Sequence, residues 1–345
     1  MPLSERKKKI LQAVVDDYIE SAEPVSSKNI QEKYLRDCSS ATIRNELSAL
    51  ESMGYLVQPH VSAGRIPSQK AYRMYVDEMM QSKQLSKKEI ALIDSYFSEK
   101  IGSVEDIVSN VARVLTDITN YTSVAIKTPA DYDTIKTIKL IPVGGESALV
   151  VIVTDLNLYK DSIIQVKKGA GEEEISTAEQ WLNKIFAGKH MNEFREESAA
   201  QEMVQEEFSQ FKELYERVKE VICKAASARV KVITEGTSKI LNYPEYSDTQ
   251  KAKEFFSTME EKTRVAEILD DDGDLNVKIR FGKESDDCLP DDCAVVSAKI
   301  VLNDKTIGSA GVVGPARMNY PKVVAVLKHV SERLDHILDD SKKED

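Results

Sequence analysis

The chain has 345 residues, 41% hydrophobic and 30% charged, which suits folded globular domains and excludes disordered or fibrous classes. At roughly 150 residues per domain this length predicts two or three domains, with core enough to need no disulfide staples. The net charge of −11 excludes a passive nucleic-acid coat but is uneven: residues 1–73 hold 11 Lys and Arg against 9 Asp and Glu, leaving −13 on the remainder.

Ser4 is placed to cap a helix over 4–20, in which Ile10, Leu11, Val14, Val15 and Tyr18 share one face. Ala22-Glu23-Pro24 breaks it. Ser26-Ser27 then cap a short helix, Lys28 to Tyr34, and Leu35 to Cys38 make a turn. Ser39-Ser40 cap a third helix, Ala41 to Met53, which Gly54 ends. Ile43, Leu47 and Leu50 form its apolar stripe, and Ser40, Arg44, Asn45, Ser48 and Ser52 lie on the opposite side. Tyr55–His60 and Arg65–Pro67 are extended segments around Val61-Ser62-Ala63-Gly64, a hairpin with a glycine-containing turn. A fourth helix, about 69–80, carries Tyr72, Tyr75, Val76 and Met79.

Three helices, the last two joined by a tight turn, followed by a hairpin make a winged helix-turn-helix. Its candidate DNA-binding residues are Ser27 and Lys28 in the second helix, Ser39, Ser40, Thr42, Arg44, Asn45 and Ser48 at the third, and His60 and Arg65 on the hairpin. Helix N-termini offer free N–H groups to phosphate. Arg and Asn can pair bidentately with guanine and adenine edges. Arg65 is expected on the DNA backbone, and Lys7 to Lys9 are further phosphate candidates. The ordinary alternatives are a solvated helix face, plain loop residues and a solvated basic start.

Beyond residue 80 the pattern changes. Ser86–Phe97 and Val104–Thr119 are predicted helices and Ser123–Lys127 a strand. Ile135–Leu140, Ala148–Thr154 and Leu158–Val166 read as a meander turned at Gly144-Gly145 and Asp155-Leu156-Asn157. A helical stretch, 172–227, follows, with Trp181, Leu182, Ile185 and Phe186, then Phe208, Phe211, Leu214, Tyr215, Val218 and Ile222 at helical spacing. Arg229–Thr234 is strand-like, two helices come near 249–259 and 260–270, and strands are predicted at Leu275–Phe281, Ala294–Leu302 and Thr306–Val313 before a last helix at 320–339. The succession is α+β.

Other features carry little chemistry. Gly308, Gly311 and Gly314 follow GxxGxxG spacing, not that of a nucleotide cradle, and read as close backbone packing before a helix start. Arg317 beside them is either a structural ion-pair partner or a domain-interface residue. Asp270–Asp274 lacks the glycine and glutamate of a calcium loop, with Leu275 and Phe281 standing there instead. Cys38, Cys223, Cys288 and Cys293 are scattered and read as free thiols. Cys288 and Cys293 have no second ligand pair nearby, and Asp286, Asp287, Asp291 and Asp292 around them make a surface acidic loop. His329 and His336 lie two helical turns apart with no third ligand. No GxSxG, HExxH or Walker motif is present, so an enzyme is disfavoured and neither metal nor cofactor is expected. No apolar run reaches membrane-span length and no secretory signal stands at the start, which places the chain in the cytoplasm.

Several segments together carry a resemblance: Glu23-Pro24-Val25-Ser26-Ser27-Lys28, Ser39 to Leu47, Pro59 to Ser68, Tyr72 to Asp77, and Gly314-Pro315-Ala316-Arg317-Met318-Asn319-Tyr320. They closely resemble the HrcA family of bacterial heat-inducible transcription repressors, with departures at Ser26, Val61, Ala71 and Asn319. The resemblance implies a winged helix over 1–80, a GAF-like α+β domain over 81–130 and 228–345, and an inserted α+β dimerisation domain over 131–227. It further implies a homodimer on double-stranded DNA at the CIRCE inverted repeat of chaperone operons, and activity linked to the chaperonin GroEL. A rival from another class is a ligand-gated sensor in which the GAF-like body binds a small effector.

Overall fold

The computed structural model describes residues 3–98, 103–127, 134–144, 147–155, 158–165, 172–194, 212–226, 231–269, 277–284, 289–302 and 305–341. The expectations for Gly145, Leu156, Asn157, Phe208, Phe211, Asp270–Asp274 and Asp286–Cys288 lie outside them. By contact the chain divides into two units, one of Met1–Lys100, Val108–Ile126 and Val232–Asp345, the other of Ile101–Ile107 and Lys127–Lys231.

The first unit begins with α1 (Glu5–Ser21), α2 (Ser27–Lys33) and α3 (Ser40–Ser52), then β1 (Leu56–Val57) and β2 (Ile66–Pro67), an antiparallel hairpin. One device starts each helix. The side chains of Ser4, Ser26 and Ser39 accept the N–H of Lys7, Asn29 and Thr42 at 3.4, 3.1 and 3.1 Å. Gly54, at φ +78°, ends α3 in a Schellman turn: its N–H reaches Glu51 O at 2.8 Å and that of Tyr55 reaches Leu50 O at 2.9 Å. Ile10, Leu11, Val14, Val15, Ile30, Ile43, Leu47 and Leu50 are buried together, each worth about 1.5–3 kcal/mol of transfer free energy. The helix expected near 69–80 runs as α4 (Gln69–Met74) and then opens into a π-turn, Tyr75–Met79. Tyr75 and Met79 of this turn are both buried.

The same unit continues with α5 (Lys87–Tyr96), α6 (Val104–Thr119) from Val108 onward and β3 (Thr122–Lys127) as far as Ile126. After the second unit it resumes with β7 (Val232–Glu235), two 3₁₀ turns at Thr237–Asn242 and Pro244–Ser247 that the sequence reading did not anticipate, α9 (Thr249–Glu260), α10 (Lys262–Leu269), β8 (Lys278–Phe281), β9 (Cys293–Leu302), β10 (Lys305–Pro315) and α11 (Tyr320–Ser341). Its sheet has the order β7-β3-β10-β9-β8. Alternation along the strands gives each face its own helices. Val124, Val295 and Val313 meet Phe255, Met259, Val265 and Ile268 of α9 and α10. On the other face, Ala298, Ile300 and Ala310 lie beside Val111 of α6 and Leu327, Val330 and Leu334 of α11. Gly311 serves close packing, since a Cβ there would stand 2.5 Å from Val296 O. Pro315 closes β10 rather than opening a helix, and four residues separate it from α11.

The second unit is a meander, β4 (Ile135–Gly144), β5 (Ser147–Thr154) and β6 (Leu158–Gln165), followed by α7 (Glu172–Phe186), a 3₁₀ turn at Met191–Phe194 and α8 (Lys212–Ala226). Ile138, Leu140, Val150 and Ile152 pack with Trp181, Leu182, Phe186, Tyr215, Val218 and Ile222. The chain leaves the larger sheet along β3 and returns along β7, and these strands pair antiparallel, with Ile126 opposite Val232. The long excursion therefore begins and ends at one point of the sheet edge. Both units mix helix and sheet, as expected of an α+β chain. Among the described residues no helix is long and apolar enough to cross a membrane.

Candidate nucleic-acid interface

The third helix presents the face expected of it. Ile43, Leu47 and Leu50 are buried, while Arg44, Asn45 and Ser48 are exposed and Thr42 is half-buried. The N-terminus of α3 is shaped by Ser39, whose hydroxyl also meets that of Thr42 at 2.8 Å. Lys28 is exposed at the start of α2 and approaches Glu32 only at 3.8 Å. His60 is exposed at the wing turn, where its carbonyl accepts the Ala63 N–H at 2.9 Å.

The paired serines divide their roles. Ser26 and Ser39 are caps, whereas Ser27 and Ser40 sit one position inside their helices and face each other, hydroxyl to hydroxyl, at 3.1 Å. Ser27 is 9% exposed. It joins α2 to α3 rather than standing on the outer surface. Asp17 and Lys33 perform a similar task between α1 and α2, at 2.6 Å with the carboxylate 3% exposed. Beside them, burial and the nearby Asp17, Glu20 and Asp16 carboxylates push the Tyr34 hydroxyl up to about 12.

Arg65, expected on the DNA backbone, is bound within the winged helix. Its Nε and Nη2 lie 2.9 and 2.8 Å from Glu51 Oε2 on the last turn of α3, and its side chain is 16% exposed. Its backbone exchanges two 2.9 Å hydrogen bonds with Val25. Of the basic start, Lys7 pairs with Glu46 of α3 and Lys8 with Glu78, each at 2.6 Å, while Arg6 and Lys9 are exposed. Electrostatically this leaves Arg44, Lys28 and Lys9 as the exposed cations among the expected DNA-binding residues, with Arg6 exposed beside Lys9.

Sequence reasoning missed the internal bracing of the wing. Gln58 donates its amide to Val61 O at 2.9 Å and Ala63 O at 3.1 Å, which shapes the tip and leaves the Val61 side chain 98% exposed. Gly64 passes so close to the segment before α2 that a Cβ would stand 2.5 Å from Val25 O and 2.6 Å from Pro24 O. A glutamine three residues before a Gly-containing turn gives a weak signal for the first, and nothing local signals the second.

Comparison with known proteins accords with this geometry. Residues 2–81 match the family model for the winged helix-turn-helix transcription repressor HrcA, DNA-binding, and residues 105–324 match that for the HrcA protein C-terminal domain. Curated relatives named heat-inducible transcription repressor HrcA include those of Clostridium tetani, 36% identical over 99% of this chain and 97% of the relative, Brevibacillus brevis, 34% over 97% and 98%, and Caldanaerobacter subterraneus, 35% over 98% of each. A solved structure described as a hypothetical protein shares the fold, with a TM-score of 0.65 at 23% identity over 99% of this chain and 100% of that one. The chain belongs to the HrcA family of heat-inducible transcription repressors.

Proposed function

We propose that this chain is a sequence-specific, DNA-binding transcriptional repressor of chaperone operons that acts in the cytoplasm as a homodimer on the CIRCE inverted repeat. As a member of a repressor family it is not an enzyme. The observation that carries the DNA reading is the exposed face of α3, where Arg44, Asn45 and Ser48 stand clear of a buried apolar stripe beside an ordered wing. Arg44 and Asn45 are assigned to base edges, and Ser39, Thr42, Ser48, Lys28 and His60 to phosphate and flanking contacts. Ser27 and Ser40 hold α2 and α3 at their crossing.

The homodimer is supported by the second unit. The meander packs one face on α7 and α8, and along its other face Ile141 pairs with Leu149 and Leu149 with Ile163. Ile141, Val143 and Ile163 remain 48%, 49% and 67% exposed, an apolar row suited to a second copy. This is the role proposed for the segment 131–227, with 81–130 and 228–345 as the GAF-like body and 1–80 as the head. A two-fold pair of heads matches the symmetry of an inverted repeat.

The proposed link to GroEL rests on the family resemblance. A repressor whose active fold depends on a shared chaperonin loses activity by mass action when unfolded clients occupy that chaperonin. Fluorescence anisotropy with a labelled CIRCE duplex and a scrambled duplex, with and without GroEL, tests the whole reading. Selective, salt-sensitive binding that rises with the chaperonin is expected. Equal binding to both duplexes would reject a sequence-specific repressor, and selective binding indifferent to GroEL would reject the chaperonin link alone.

A further inference from the structure

We propose that Arg65 is a positioning residue: through Glu51 it locks the wing to the end of the recognition helix and sets how the wing tip meets DNA, instead of contacting phosphate itself. This rests on the DNA-binding reading above.

Arg65 joins three pieces of chain at one point. Its guanidinium places two nitrogens on a single Glu51 oxygen, at 2.9 and 2.8 Å. Its backbone closes an antiparallel bridge to Val25, the residue before the cap of α2. The neighbouring Gly64 fits against Val25 O and Pro24 O with no room for a side chain. The wing strands are only two residues each, Leu56–Val57 and Ile66–Pro67. So short a hairpin has little stability of its own and needs anchoring elsewhere.

The charge arrangement favours the same role. Glu51 lies in the last turn of α3, where the negative end of the helix dipole disfavours a carboxylate. A cation is needed there, and Arg65 supplies it at 16% side-chain exposure. A phosphate would have to compete with that carboxylate for a guanidinium already paired at two points. From this anchor the chain runs back through Gly64 to the tip held by Gln58, so the anchor decides where His60, Val61 and Ser62 project.

The two roles predict opposite signs for Glu51→Gln. If Arg65 contacts phosphate, removing Glu51's charge frees the guanidinium and deletes a repelling anion, and binding tightens. If Arg65 is an anchor, the wing loosens and binding weakens. The test uses the full-length protein with GroEL present and a labelled CIRCE duplex across a salt series, with wild type, Glu51→Gln, Arg65→Gln and the exchanged pair Glu51→Arg with Arg65→Glu. The expected result is a loss of about tenfold for each single variant, the scale of a coupled pair. The salt slope stays that of wild type, and the exchanged pair recovers most of the affinity. Thermal melts confirm that the variants compared are folded; Glu51→Ala replaces Glu51→Gln if that variant is not, and Arg65→Lys, which keeps the charge, replaces Arg65→Gln. Tighter binding by Glu51→Gln, or a salt slope reduced by about 0.9 in Arg65→Gln, the value of one lost phosphate contact, overturns the proposal. Failure of the exchanged pair to recover affinity does so too. Absence of selective binding by the wild type would instead reject the DNA-binding reading.

Discussion

Arg317 and Glu245 form a two-point ion pair, and the same guanidinium donates from Nη1 to the carbonyl of Ile19, in the last turn of α1, at 3.2 Å. Arg317 is 10% exposed and Glu245 21%, and the guanidinium lies 5.5 Å from the centre of the Tyr243 ring. One side chain from the loop before α11 therefore touches both the first helix of the winged helix and the 3₁₀ segment beyond β7. A second arginine works in parallel: Arg73 of α4 pairs with Glu284 and donates to Ile279 O at 3.0 Å, while Tyr72 stacks on Phe281 at 6.2 Å. Both alternatives raised for Arg317 hold together, since it is an ion-pair partner and an interface residue at once.

Arg317→Ala strands a half-buried carboxylate and a helix-end carbonyl. A loss of about 2 kcal/mol in urea unfolding is expected, below the ~3–5 of a fully buried pair. Combining it with Glu245→Gln should cost clearly less than the sum of the singles. Strict additivity would show that the two residues act independently.

Arg44→Ala and Lys28→Ala should differ in kind. The first should cost about 1–3 kcal/mol on the inverted repeat and little on scrambled DNA, narrowing the ratio between them. The second should weaken both duplexes alike and flatten the salt slope by about 0.9. An unchanged specific-to-scrambled ratio in Arg44→Ala would mean that α3 is not the reading helix.

The apolar row of the meander gives a test of assembly. Ile163→Asp places a charge at one end of that row, on the edge strand β6, at a position already 67% exposed, so the fold of one copy should tolerate it. Sedimentation should show monomers at concentrations where the wild type is dimeric. A variant that remains dimeric would send the interface elsewhere.

Acid stability has an identifiable contributor. Glu89 accepts the Ser86 N–H at 2.8 Å and its hydroxyl at 2.7 Å, and meets Lys322 at 3.0 Å. The Ser86 backbone, the Ser86 hydroxyl and then Lys322 hold its carboxyl down at about 2, against an ordinary 4.5. Folding favours the ionised form, so the stabilisation is complete above the ordinary value and disappears as pH falls towards the folded one. Glu89→Gln should therefore be less stable than wild type at neutral pH, and the gap should close between 4.5 and about 2. A gap that persists at the acid end would place the effect in packing instead.

Much of the head was legible in the chain because its determinants are local. A serine, a free N–H three residues on and an apolar stripe at helical spacing all lie within one or two turns, and α1 to α3 begin and end within a residue of their expected bounds. The same holds for the exposed face carrying Arg44, Asn45 and Ser48. Which charges remain available was not legible. Lys7 pairs with Glu46, Arg65 with Glu51 and Arg317 with Glu245, and at separations of 39, 14 and 72 residues no spacing rule joins them. The pairing of β3 with β7 likewise closes over a long excursion that leaves no mark in either strand. An exposed charge and a paired one are the same letter in a sequence. They become different groups only when chain closure brings a partner within reach, and closure is a property of the whole fold.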